Sequence, residues 1–151
     1  MVSQKLLELL NKGIAAELQV SIQYMWQSIQ VTGLDGETAR GIFRKIAIAE
    51  MKHAEALAKR LDYLDGISTV KPDSINVGGS LIEMLKQDEE NEEEAIELYK
   101  QAIQVAAKEG DYTTQRLLED ILADEEDHIN VFGKMLVGMT EPFTQPGISK
   151  M

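Results

Sequence analysis

No cysteine occurs anywhere in the 151 residues. Disulfide scaffolds, thiolate zinc sites, thiol catalysis and cysteine-ligated iron–sulfur centres are thereby excluded. Proline is scarce, and all three (Pro72, Pro142 and Pro146) fall outside the strongly periodic stretches. No apolar run approaches the roughly 18 residues that a membrane span needs, so no membrane is expected. The segment Met1 to Glu8 has no basic start followed by an apolar core. No secretory leader is therefore expected, and the cytoplasm is the expected location. Bases are also outnumbered. Against 26 acids stand 15 lysines and arginines, for a net charge of −11. Such a surface repels phosphate backbones, so nucleic acid is not an expected partner. The same field concentrates cations near the protein.

Four stretches carry helical periodicity, and strand-like alternation is absent, so the chain reads as all-α. The first runs from about Ser3 to Val31 and stops near Gly33. The second runs from about Gly36 to Leu64 and stops at Asp65-Gly66. The third opens at Ser80, where Ser80-Leu81-Ile82-Glu83 reads as a capping box, and ends before Gly110. The fourth has Asp111 as N-cap and ends near Gly138. Two of the links are only a few residues long, which predicts antiparallel hairpins. The link from Asp65 to Gly79 can reach roughly 50 Å when extended. A helix of about 28 residues is roughly 42 Å long, so this link can run the length of a bundle. The expected architecture is an all-α four-helix bundle of two antiparallel hairpins joined by a long crossover, an arrangement that resembles ferritin-like folds. It would occupy residues 1–139, followed by a tail, 140–151, that carries two prolines and no long helix.

The two hairpins repeat. The only histidines, His53 and His128, each follow a glutamate by three residues, as Glu50-x-x-His53 and Glu125-x-x-His128. Residues three apart share a helix face, so each pair can grip one object. The same offset of 75 carries Leu10, Glu17, Tyr24 and Val31 onto Leu85, Glu92, Tyr99 and Ala106. It also carries Phe43, Ile46, Leu57 and Leu61 onto Leu118, Ile121, Phe132 and Leu136. Among the glutamates of the acidic run Asp88 to Glu94, Glu92 lies in line with Leu85 and Tyr99; Glu93 and Glu94 read as surface.

Four glutamates and two histidines therefore face the core. Buried together without compensation, the carboxylates repel one another and carry a large desolvation penalty. Two divalent cations neutralise four carboxylates, and buried charges are normally paired or metal-bound. Hard oxygen donors with two imidazoles and no sulfur suit iron or manganese better than a structural zinc.

One Glu from each of two helices, with Glu-x-x-His from each of the other two, resembles the ferritin-like di-iron carboxylate proteins. Bacterioferritin is the look-alike. Ala49-Glu50-Met51-Lys52-His53-Ala54 resembles its second-helix signature, and Asp124-Glu125-Glu126-Asp127-His128-Ile129 its fourth. Glu17 with Gln23-Tyr24 resembles its first helix, and Glu83-Met84-Leu85 the start of its third. The resemblance implies a ferroxidase holding two Fe(II) per chain, oxidised to Fe(III) by dioxygen or peroxide. Glu50 and Glu125 would bridge; Glu17 and His53 would cap one iron, Glu92 and His128 the other, with Tyr24 close by. Tyr99, its repeat mate, reads equally as a core aromatic with its hydroxyl bonded. The resemblance further implies a homo-oligomeric storage shell, usually of 24 chains, and haem held between two chains by Met51 of each. A methionine that merely packs a helix interface is the other reading of Met51. Trp26 reads as a core or interface anchor. There are departures: Lys45 and Ala49 stand where many bacterioferritins have the His and Asp of an inner-surface iron site, and Val131 stands where a tryptophan is common. The prolines of the tail interrupt the family's short fifth helix. A non-storage di-iron or di-manganese oxidase or peroxidase is the alternative.

Overall fold

The computed structural model describes residues 2–140; of the expected tail, residues 141–151 lie outside the described residues. Four long helices make up the fold: α1 (Gln4–Gln30), α2 (Gly33–Tyr63), α3 (Leu81–Glu109) and α4 (Tyr112–Thr140). Three of their starts are capped, those at Ser80 and Asp111 as the sequence suggests. Ser3 Oγ accepts from the Leu6 N–H at 3.2 Å, and Ser80 Oγ from the Glu83 N–H at 3.2 Å. Asp111 Oδ1 accepts from the Thr114 N–H at 3.1 Å. Each bond satisfies one of the N–H groups left over at a helix start.

Two boundaries differ from expectation. Gly33 is not the break between the first two helices but the first residue of α2, with φ +79°. A glycine reaches that left-handed backbone without strain, so Val31 and Thr32 suffice to reverse the chain. Gly110, with φ +74°, ends α3 in the same conformation. At the other end, α4 runs through Gly138 to Thr140, because one glycine near a helix end weakens the helix without stopping it.

The hairpin α1–α2 packs against the hairpin α3–α4, with α1 beside α3. The crossover, residues 64–80, is laced along α1. The Thr69 N–H bonds Asn11 Oδ1, the Asp73 N–H bonds the Ala15 carbonyl and the Asn76 N–H bonds Gln23 Oε1, each at 2.8–3.0 Å. It thus travels in the direction of α1 and delivers α3 antiparallel to it.

Two apolar clusters fill the bundle. One gathers Leu6, Leu10, Leu57, Leu61, Ala102 and Leu118. The other gathers Tyr24, Phe43, Phe132, Met84 and Leu85. Phe132 meets the Tyr24 ring edge-on at 5.4 Å and lies 6.1 Å from Phe43. Between the two clusters, every helix contributes buried polar side chains to a layer across the bundle.

Candidate metal centre

That polar layer holds the six residues singled out by spacing. Glu17 comes from α1, Glu50 and His53 from α2, Glu92 from α3, and Glu125 and His128 from α4. The four carboxylates are at most 1% exposed. Their donor atoms converge as two sets that share members. Glu17, Glu50, His53 and Glu125 each offer an atom within 4.8 Å of the others, as do Glu50, Glu92, Glu125 and His128. Glu50 and Glu125 belong to both.

Both imidazoles turn Nδ1 toward the carboxylates. His53 Nδ1 lies 3.0 Å from Glu50 Oε2, 2.9 Å from Glu125 Oε1 and 3.5 Å from Glu17 Oε1. His128 Nδ1 lies 2.7 Å from Glu50 Oε1 and 3.9 Å from both Glu92 and Glu125. Most of these approaches are close without being aligned as hydrogen bonds. Glu50 Oε1, Glu92 Oε2, both Glu125 oxygens and His128 Nδ1 have no aligned partner. Buried polar atoms are rarely left so. Lone pairs crowding around common points are instead what a cation needs.

The tyrosines follow the repeat across the hairpins. Tyr24 donates to Glu92 at 2.8 Å, and Tyr99 donates to Glu17 at 2.5 Å. Each hairpin thus orients the single glutamate of the other. Tyr99, whose hydroxyl could have been bonded anywhere in the core, holds a site carboxylate.

Charge in this layer is strongly perturbed. Burial pushes Glu17, Glu50 and Glu92 upward, and neighbouring carboxylates add to the shift. Glu125 moves the other way, to about 2: burial opposes its charge, but the close approach of Glu92 and His53 outweighs it. His53 is pushed up to about 11, because Glu125 and Glu17 overcome the burial that disfavours its charge. Burial holds His128 below its ordinary value. Without a cation, then, one buried ion pair sits among carboxyls that resist ionising.

A cavity of about 340 Å³ between α1, α3 and the crossover reaches Glu17, Glu92 and Glu125; Lys12, Asp73 and Glu94 are also on its wall. A family model of the ferritin-like domain matches residues 7–140. Bacterioferritin from Desulfovibrio desulfuricans is 36% identical over 130 residues, covering 85% of this chain and 72% of that protein. Bacterioferritin from Streptomyces coelicolor is 35% identical, covering 83% and 76%. A ferritin-like diiron-carboxylate protein from Bacillus anthracis superposes with a TM-score of 0.85 at 28% identity, covering 88% of this chain and 96% of that one.

The chain belongs to the ferritin family. Away from the centre of this ferritin, Met51 is 46% exposed. It lines an apolar groove of about 460 Å³ with Met25, Trp26, Ala47 and Ile48. Trp26 is therefore no core residue, being 49% exposed in the same groove. Lys45 and Ala49 border a separate cavity, of about 440 Å³, beside His128. As expected, Glu93 and Glu94 are exposed.

Sequence reasoning missed two acids. Asp88 is wholly buried, accepting from the amides of Gln23 at 2.9 Å and Gln27 at 2.8 Å. Burial raises it to about 7 despite those amides. The signal was present, since Asp88 stands three residues after Leu85 and four before Glu92 on the same seam. Asp124 lies 2.8 Å from His53 Nε2; no periodicity marks it.

Proposed function

We propose that this ferritin is an iron-storage ferroxidase, on the strength of one observation: six buried donors converge as two sets sharing Glu50 and Glu125. Two Fe(II) ions are its substrates. Glu17 and His53 hold one, Glu92 and His128 the other, and Glu50 and Glu125 serve both. Dioxygen takes one electron from each Fe(II) and, with two protons, leaves as hydrogen peroxide; with peroxide as oxidant the product is water. The protein's part is binding and orientation. The acidic field draws cations, and the cavity between α1 and α3 gives them a way in. Tyr24 and Tyr99 hold Glu92 and Glu17 in place. The apolar packing on either side closes the layer off along the bundle axis.

Storage further requires a hollow homo-oligomer. A shell of 24 chains of 16.8 kDa is about 400 kDa. The exposed apolar groove around Trp26 and Met51 supports association there. Met51 of each of two copies would hold a haem, which supplies electron transfer when bound; the groove's apolar lining and free thioether fit that group. The absence of any helix long and apolar enough to cross a membrane, among the described residues, agrees with a cytoplasmic particle.

Aerobic Fe(II) addition to the metal-free protein, followed by size exclusion with iron assayed across the peak, is the test. Many tens of irons per chain in a particle near 400 kDa is the expected result. A small particle with about two irons per chain overturns storage and favours a di-metal oxidase or peroxidase. No retained iron or manganese overturns the site.

A further inference from the structure

The repeat that organises the centre fails at one point. Glu17 and Glu92 correspond, as do Glu50 and Glu125, His53 and His128, and the crossed bonds from Tyr24 and Tyr99. His53 has one more partner: its Nε2 lies 2.8 Å from Asp124 Oδ2, on the side away from the carboxylates. The repeat mate of Asp124 is Ala49, which has no polar side chain. Among the described residues, Glu50, Glu92 and Glu125 are the only carboxylates within 4.0 Å of the His128 ring, and all three are met at Nδ1. His128 instead borders the cavity lined by Lys45, Ala49, Asp127 and Val131.

We propose that Asp124 is a positioning residue that makes the two cation positions unequal, the His53 ring being held in orientation by a bond at Nε2 and the His128 ring not. This rests on the di-metal reading above. A neutral imidazole carries one N–H and one lone pair. When a cation displaces the Nδ1 proton, the carboxylate at Nε2 keeps the remaining N–H there, so the lone pair faces the cation at Nδ1, where Glu17, Glu50 and Glu125 converge. The same bond fixes the ring plane. Among the described residues no carboxylate does this for His128, whose only carboxylate approaches are at Nδ1. Carboxylate partners of metal-bound histidines are worth roughly 10- to 100-fold in metal affinity. The Glu17–Glu50–His53–Glu125 set therefore fills first, and the set with Glu92 and His128 second.

Anaerobic titration of the metal-free protein with Co(II), followed by visible absorption, tests this without any turnover. The native chain takes up two Co(II) in two resolved steps. Asp124→Ala weakens the first step roughly 10- to 100-fold and leaves the second unchanged. Asp124→Glu restores part of the loss. Ala49→Asp, which supplies the missing mate, tightens the second step alone; a purely structural role for position 124 produces no such gain. Asp124 is 56% exposed, so its replacement leaves the packed core intact. Two equal steps in the native chain, or an unchanged first step in Asp124→Ala, overturn the proposal while the di-metal reading stands. A native chain that binds no Co(II) overturns the di-metal reading, and this proposal with it.

Discussion

Replacing Glu50 with glutamine should act in opposite directions on the metal-free and metal-loaded protein. Glu50 is fully buried among Glu17, Glu92 and Glu125, and burial with their repulsion holds its carboxyl well above the usual range. An amide is close to a copy of that neutral carboxyl and can still accept from His53 Nδ1. Exchanging a buried ionisable group for a neutral one of similar volume is neutral or stabilising by about 1–4 kcal/mol. For a chain of this size each kcal/mol moves Tm by about 2–4 °C. Metal-free Glu50→Gln should therefore melt at the native temperature or up to roughly 10 °C above it. With metal the order reverses. At a hundredfold excess over Kd, one bound ion stabilises by about 2.7 kcal/mol. Glu50 belongs to both donor sets, so the variant forfeits most of that gain at both positions. Scanning calorimetry of both proteins, chelated and then anaerobically loaded with Co(II), reads the two effects. A variant that melts several degrees below the native chain when metal-free, yet keeps the full metal-dependent rise, would refute the reasoning. It would mean that Glu50 serves the fold and not a cation.

Three further outcomes are expected. Tyr99→Phe strips the O–H from Glu17, leaving a buried oxygen without a partner, and should cost about 1–3 kcal/mol of stability by denaturant titration. Asp111→Ala removes the cap of α4 together with its bonds to Arg60 and Thr114 and should lower stability by about 1–2 kcal/mol. Asp111 sits below its ordinary value because Thr114 and Arg60 outweigh the opposing effect of burial. A depressed carboxyl contributes stability above its unfolded pKa, about 3.9, and loses it as pH falls through the lower folded value. The deficit of Asp111→Ala should accordingly shrink on acidification below about pH 4; a deficit that stays constant down to pH 2 contradicts the assignment. Gly13→Ala places a Cβ 3.1 Å from Tyr99 Cε1 and 3.2 Å from Leu57 Cδ1. The helix-propensity gain of about 1 kcal/mol offsets that crowding, so Tm should hardly move. The displaced Tyr99 should nevertheless weaken Co(II) binding through Glu17, and unchanged affinity would show that the tyrosine does not position it.

Much of this molecule is legible in its sequence because two regularities overlap. Helical period marks the four helices, and the offset of 75 separates Glu92 from its exposed neighbours Glu93 and Glu94. The two short links and the long crossover together predict a pair of antiparallel hairpins. What escaped notice depends on contacts between helices. Asp88 sits in an acidic run and has Gly13 as its repeat mate, so neither composition nor repetition distinguishes it. Its burial follows from Gln23 and Gln27 facing it from α1. Asp124 is exposed and reaches His53 only because α2 and α4 meet there. Trp26 misleads as a core candidate because size alone argues for burial, whereas it is half exposed in the groove between α1 and α2.

The donor sets are also divided between the hairpins, Glu17, Glu50 and His53 lying on one and Glu92, Glu125 and His128 on the other. Each hairpin can form from contacts near in sequence, and such contacts assemble fast. The centre exists only once the two have docked. A cation held there arrives too late to hasten folding, but it must leave before the hairpins can part. Its main effect on the native fold is thus on lifetime: metal should slow the unfolding arm of the kinetics and leave the refolding arm nearly where it was.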